Sequence, residues 1–304
     1  MAINLKTFAK NLTYQADTSV SQIFKDLKEL AEIKQLAEQK VAYFSSLERG
    51  FAGPYNIFVI LGFFVVTFIF SSWISGGFII MMFVFVFVSL LSPIIFFPAK
   101  VNYYNKLKLQ EERCELPKKI LSMVNRDRTP NSNVKIMINF TPAGKMSKKI
   151  QTLPHPLIRI GRKQGWKLDL FEDQWLALEG KFLDSTNFFL TVTELNRTAY
   201  GRNPRGKWKS KNKRKGTEIN LKLSFPSKKY GSIHVIQKAA PEAVKLPEQV
   251  NLKRMKVTGK AIDLTVNAPH FFKQEEMYQT ITMMFLSLYQ VLNFAKMLSK
   301  RRAA

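Results

Sequence analysis

The chain has 304 residues, with 47 Lys+Arg against 22 Asp+Glu, a formal net charge of +25, and one cysteine, Cys114. A single cysteine excludes an intramolecular disulfide and a cysteine-based zinc site within one chain, and it fits a reducing compartment. A positive excess of this size points to an anionic neighbour: phospholipid headgroups, nucleic acid or an acidic protein.

The first residues, Met1 to Lys6, lack the apolar core of a signal peptide. Residues 1–18 show no clear period. Ser19 and Gln22 then have the S-x-x-Q form of a capping box. A helical pattern follows over 20–47, with Ile23, Leu27, Leu30, Ala37, Val41 and Phe44 on one stripe. We assign 1–49 to an N-terminal amphipathic cytoplasmic helix. Its stripe packs within the chain or forms a homo-oligomer contact.

Residues 50–99 contain no Asp, Glu, Lys, Arg or His. A crossing needs about 20 mostly apolar residues, and this stretch has room for two, about 55–74 and 78–97. Ser71 to Gly77, with Trp73 among them, forms the connector of a transmembrane hairpin. Lys34, Lys40 and Arg49 precede the hairpin and Lys100, Lys106, Lys108 and Arg113 follow it. Basic flanks stay inside, so both termini are expected to be cytoplasmic, in a bacterial inner (plasma) or equivalent membrane. The spans hold no ionisable group, which favours an anchor over an ion path.

Residues 100–125 read as membrane-proximal helices. The first continues toward Glu115, and Pro117 opens a second at its N1 position. Residues 126–133 form a linker. Beyond it the period changes from 3.6 to 2, and 126–304 reads as a basic, β-rich cytoplasmic domain. Strands are expected at 134–140, 166–170, 175–183, 188–193, 219–225, 233–236 and 257–266, with Asp184 to Asn187 as a hairpin turn. No long helical crossovers separate them, so the sheet should be mainly antiparallel. A C-terminal helix over 273–300 closes the domain. Its uncharged run, 277–295, is polar on one face, which favours packing on the sheet or an interfacial position over a third span. The expected class is an α+β integral membrane protein, with a two-helix transmembrane hairpin, flanking amphipathic helices and this β domain.

The charge excess is concentrated after the hairpin: 40 of the basic and 16 of the acidic residues lie in 100–304. The densest stretch runs from Arg197 to Lys215. It holds Arg197, Arg202, Arg205, Lys207, Lys209, Lys211, Lys213, Arg214 and Lys215 and no acidic residue. We expect a long basic loop or flaring hairpin that binds an anion through these nine side chains, with Tyr200 and Trp208 as aromatic contacts.

Catalytic signals are weak. His155, His234 and His270 are far apart in sequence. The phosphate-loop, dinucleotide, zinc-protease and nucleophile-elbow motifs are absent. Asp169, Glu172, Asp173 and Glu179 cluster beside Trp175, but turns and strand edges often carry such residues, and no metal site is assigned. No catalytic residue and no cofactor is expected. The sequence is read as a membrane-anchored, non-enzymatic scaffold or tether. The alternatives are a subunit of an oligomeric channel or transporter, and a membrane-bound enzyme acting on lipid or nucleic acid.

Overall fold

The computed structural model describes residues 5–51, 96–129, 132–154, 165–203, 205–230, 237 and 240–303. The expected span at 55–74, nearly all of that at 78–97, the strand expected at 233–236, His155 and His234 lie outside the described residues. Among the described residues one helix, Gln274–Ser299, is long and apolar enough to cross a membrane by length and composition, and 44% of its apolar 18-residue stretch is buried within the protein.

The chain divides into two compact units, Met1–Leu27 with Gln110–Ala304, and Lys28–Leu109. The first unit contains α1 (Leu5–Asn11), β1 (Thr13–Thr18) and the start of α2 (Val20–Phe51). It continues with α3 (Glu111–Val124), β2 (Val134–Asn139), β3 (Lys149–Pro154), β4 (Lys167–Lys181), β5 (Asn187–Arg202) and β6 (Trp208–Ser224). It ends with the short helices α4 (Ser227–Tyr230) and α5 (Ala240–Ala243), the hairpin of β7 (Asn251–Val257) and β8 (Ala261–Pro269), and α6 (Gln274–Ala303).

The strands form one eight-stranded sheet, ordered β1-β2-β4-β5-β6-β8-β7, with β3 pairing the start of β4. Every pairing is antiparallel. Period-2 alternation gives one apolar face: Ile136, Leu178, Leu190, Leu221 and Leu264 occupy successive positions across five strands and are all buried. Leu116, Ile120 and Leu121 of α3 are buried, as are Met277, Ile281, Met284, Leu288 and Leu292 of α6. They show a helical stripe covering an apolar sheet face. The opposite face is polar, and Asn220 there donates to Asp263 Oδ1 at 2.6 Å and to Thr265 Oγ1 at 2.8 Å. One covered and one solvated face is the usual state of an antiparallel sheet. This unit is the α+β arrangement expected, with a mainly antiparallel sheet and a C-terminal helix.

Several boundaries differ from expectation, each for a local reason. β1 and β3 carry few buried apolar residues, so alternation does not announce them. β4 is one strand rather than two. A bulge between Gln174 and Leu176 shifts the alternation, so a continuous strand reads as two short ones. The strand expected at 257–266 is β8, which begins only at Ala261; β7 before it is not among the expected strands, and the turn between them is closed where Thr258 Oγ1 donates to the Ala261 carbonyl at 2.9 Å. The helix over 96–106 ends before Leu107, and a new one begins at Glu111. Pro117 therefore lies inside α3, not at its first position.

Two sequence signals hold as read. Ser19 Oγ accepts the Gln22 N–H at 3.4 Å at the start of α2, as the capping pattern predicts. Asp184 Oδ1 accepts the Thr186 N–H at 2.8 Å in the β4–β5 turn, where Ser185 takes φ +69°. In the second unit the ring of Phe44 stacks on Tyr104 at 5.9 Å and lies 6.3 Å from Phe97, joining α2 to the helix over 96–106.

Candidate anion-binding hairpin

The basic stretch is not a loop. It is the distal half of the β5–β6 hairpin, paired from Leu195–Gly216 out to Arg202–Trp208. Asn203 donates its N–H to the Lys207 carbonyl at 2.9 Å, and Gly206 donates to the Asn203 carbonyl at 2.9 Å. Gly206 has φ +74°, which a residue with a Cβ adopts at a cost.

The register divides the nine cations. Lys209, Lys211 and Lys213 pair with Gly201, Ala199 and Arg197. Paired residues share a face, so Arg197 and these three lysines form one cationic face. It continues the solvated face of the sheet. Trp208, Ser210, Asn212 and Arg214 pair with Arg202, Tyr200, Thr198 and Asn196 and occupy the reverse face. Tyr200 and Trp208 meet there, their ring centres 5.9 Å apart, and Trp208 is 64% exposed. The lysines and the aromatic pair, neighbours in sequence, are therefore on opposite sides. Arg205 and Lys207 flank Gly206 at the tip. Lys215 is the extra residue of a bulge between Leu195 and Asn196.

Arg214 differs from the other eight. Its Nε lies 2.9 Å from Glu194 Oε1, its Nη1 lies 3.9 Å from Glu112, and its Nη2 donates to Thr217 Oγ1 at 2.8 Å. It is joined to a charged network that the sequence does not announce. In that network Arg113 Nη2 donates to Asp173 Oδ2 at 2.7 Å and to Glu194 Oε2 at 3.0 Å. Lys148 Nζ lies 2.6 Å from Asp173 Oδ1. Burial lowers the Lys148 pKa, and the bond to Asp173 only partly offsets this. The other eight cations have no carboxylate within ion-pair distance among the described residues.

Two of the four carboxylates around Trp175, Asp169 and Asp173, are thus held by the chain's own cations. Asp169 accepts from Thr152 Oγ1 at 2.7 Å and lies 2.9 Å from Lys149 Nζ. Burial pushes its carboxyl up, but the bonds from Lys149 and Thr152 and the Lys149 charge outweigh this and hold it below the usual carboxylate range. Among the described residues no group of three or more His, Cys, Asp or Glu is arranged to hold a metal ion.

Two features position the hairpin. Trp166 lies over Gly201, where an added Cβ would meet its Cδ1 at 2.5 Å, and its Nε1 donates to the Arg202 carbonyl at 2.8 Å. On the other side of the hairpin β8 pairs with β6 only from Gly216 onward, and the ladder ends at Pro269. Residues 208–215 of β6 therefore form an open strand edge among the described residues.

Comparison with protein-family models, with curated proteins and with solved structures finds no match to this chain.

Proposed function

We propose that the chain is a membrane-anchored, non-enzymatic scaffold or tether whose basic domain holds an anionic surface. The observation that carries the reading is the set of eight cations on the distal hairpin, without carboxylate partners among the described residues, presented by a paired and braced element. Like charges held this close repel one another, and an anionic partner relieves that repulsion. The uncharged stretch at 50–99 supports an anchor, since it has the length and composition of two crossings. The anchor keeps the hairpin at a membrane, and the hairpin recruits what is negatively charged there.

The test is retention of the purified full chain, reconstituted in neutral lipid nanodiscs that occupy its anchor, on anionic vesicles, neutral vesicles, single-stranded nucleic acid and an acidic polypeptide, each at low and near-physiological salt. Retention by at least one anionic probe and by no neutral vesicle is expected. It should be lost when Arg197, Arg202, Arg205, Lys207, Lys209, Lys211, Lys213 and Lys215 are replaced by Gln. Unchanged retention in that variant would remove the hairpin from the function.

A further inference from the structure

The eight free cations do not form one flat patch. The lysines of β6 lie along a strand edge, and the aromatic pair lies on the other face of the hairpin. This arrangement separates the three anionic partners.

A lipid surface can lie on the face of Arg197, Lys209, Lys211 and Lys213, but headgroups there leave the outward N–H and C=O groups of the strand edge without backbone partners. Single-stranded nucleic acid uses cations along its backbone and aromatic rings under its bases, on one surface. Here the rings of Tyr200 and Trp208 are turned away from Lys209, Lys211 and Lys213. An extended peptide is different, because it meets the edge itself.

The backbone of that edge has a definite parity. The Asn203 N–H donates to the Lys207 carbonyl, which marks a hydrogen-bonded position of the ladder. Hydrogen-bonded and non-hydrogen-bonded pairs alternate in an antiparallel ladder, so Lys209, Lys211 and Lys213 turn their N–H and C=O groups toward β5. Trp208, Ser210 and Asn212 turn theirs outward, to the side where β8 is absent. Trp208 to Lys213 are all exposed. The edge thus offers outward donors and acceptors at every second residue, with a lysine at each residue between.

We propose that Trp208–Lys215 is a docking edge for an extended acidic segment of a partner protein, which adds to the sheet as a further antiparallel strand. This rests on the anionic-partner reading and names the partner's chemistry. Acidic side chains at alternate positions of the added strand fall opposite Lys209, Lys211 and Lys213. Those are non-hydrogen-bonded pairs of the new ladder, where side chains are closest. The main chain supplies affinity and the alternating charge supplies selectivity. The same lysines keep the edge from pairing with a second copy of itself, because like charges would then face one another.

The experiment uses the purified full chain in neutral lipid nanodiscs and a fluorescent octapeptide in which Glu alternates with Thr, read by anisotropy. Two methylated forms keep every charge. One carries N-methyl groups on the Thr residues, whose N–H groups face the edge, and the other carries them on the Glu residues. Binding of the parent peptide is expected, with a loss of about tenfold or more on Thr methylation and little change on Glu methylation. Two chain variants are measured beside it. K209Q/K211Q/K213Q removes the comb. S210P removes one outward N–H that β5 does not use, a position where a strand edge tolerates proline. Both should lose the peptide and keep the circular dichroism of the parent.

Equal binding of parent and both methylated peptides would overturn the strand-addition proposal and leave the anionic-partner reading standing. The same holds if phosphatidylserine vesicles or oligothymidylate bind and the peptide does not. Binding of none of the three would remove both.

Discussion

Arg113 Nη2 and Asp173 Oδ2 lie 2.7 Å apart, with side chains 2% and 0% exposed, and they join α3 to β4 across sixty positions of sequence. Arg113 also donates to the Asn139 carbonyl at 2.5 Å, and its guanidinium lies 5.5 Å from the Trp175 ring centre. A guanidinium serves here because its planar fork reaches several acceptors at once. The pair ties the helix layer to the sheet at the end from which the basic hairpin extends.

Arg113→Met should therefore destabilise the protein. Removing one member of a buried pair costs about 3–5 kcal/mol, and the lower end is expected because Lys148 still faces Asp173. Arg113→Lys should recover little of this, since an ammonium cannot span the same acceptors. Denaturant midpoints measured at constant slope check both. A loss under about 1 kcal/mol, the size expected of a surface pair, would show that the network is dispensable.

The hairpin cations should separate by role. K209Q, K211Q and K213Q alter exposed side chains without ion pairs, and each should change stability by less than about 0.5 kcal/mol. Arg214→Gln breaks the contact to Glu194 at 2.9 Å, leaving a mostly buried carboxylate with one fewer partner. It should be the one hairpin substitution that lowers the unfolding midpoint clearly, by about 1–3 kcal/mol. Equal midpoints for all four variants would refute this division.

Gly201→Val should displace Trp166. The position has room for a hydrogen only, since an added Cβ would lie 2.5 Å from the indole. Ring displacement breaks the Trp166 bond to the Arg202 carbonyl and exposes an indole that is now buried. A red shift and increased quenching of tryptophan fluorescence are expected, with loss of anion binding if the brace positions the tip. An unchanged spectrum would contradict this packing.

Asp184 and Tyr230 give stability a dependence at both ends of the pH scale. Burial raises the Asp184 pKa, but bonds from Tyr230 and Thr186 overcome it and hold the carboxyl below its ordinary value. A depressed carboxylate contributes stability above its unfolded pKa, and the contribution is lost as pH falls below about 4. Tyr230 is pushed up to about 12 by burial and by its bond to Asp184. The native state then keeps a proton that the unfolded state releases near pH 10, so stability falls as pH rises from about 10 to 12. Tyr230→Phe should reduce that alkaline loss without abolishing it, because burial and the Asp184 charge also raise the Tyr289 pKa, and it should weaken the acid-side contribution of Asp184. Unfolding midpoints across pH, compared between parent and variant, check both limbs.

The proposed transmembrane hairpin over 50–99 has a chemical test of its own. Cys114, the only cysteine, is buried, so the parent should resist an impermeant maleimide. If both termini are cytoplasmic as proposed, Ser75→Cys, in the proposed connector, should label from outside in intact cells, whereas Arg205→Cys should label only after permeabilisation. The reverse pattern would place the basic domain outside.

Much of the fold was legible where one face is buried and the other wet. The alternation of Val134, Ile136 and Ile138, and the stripe of Met277, Ile281, Met284 and Leu288, are periodicities that burial imposes on sequence. β1 and β3 lack that signature, because partly exposed strands demand little apolar patterning. Tyr14 shows the difference: it is buried, and its hydroxyl donates to Asp26 Oδ2 at 2.8 Å, yet one aromatic among polar neighbours sets no period.

The sequence by itself determined composition and local order: the uncharged stretch at 50–99, the density of cations at 197–215, and the alternation of Lys207, Lys209, Lys211 and Lys213. A charge count carries no information about where charges face. Only the tertiary structure decided that Arg214 pairs with Glu194 while Lys209, Lys211 and Lys213 have no ion pair among the described residues. It also decided that Tyr200 and Trp208 share the reverse face, and that β6 has an open edge among the described residues. That edge exists because β8 stops pairing at Pro269, fifty-odd positions along the chain, where a residue without an N–H ends the ladder. Strand order and register arise from contacts between distant residues, and no local pattern encodes them.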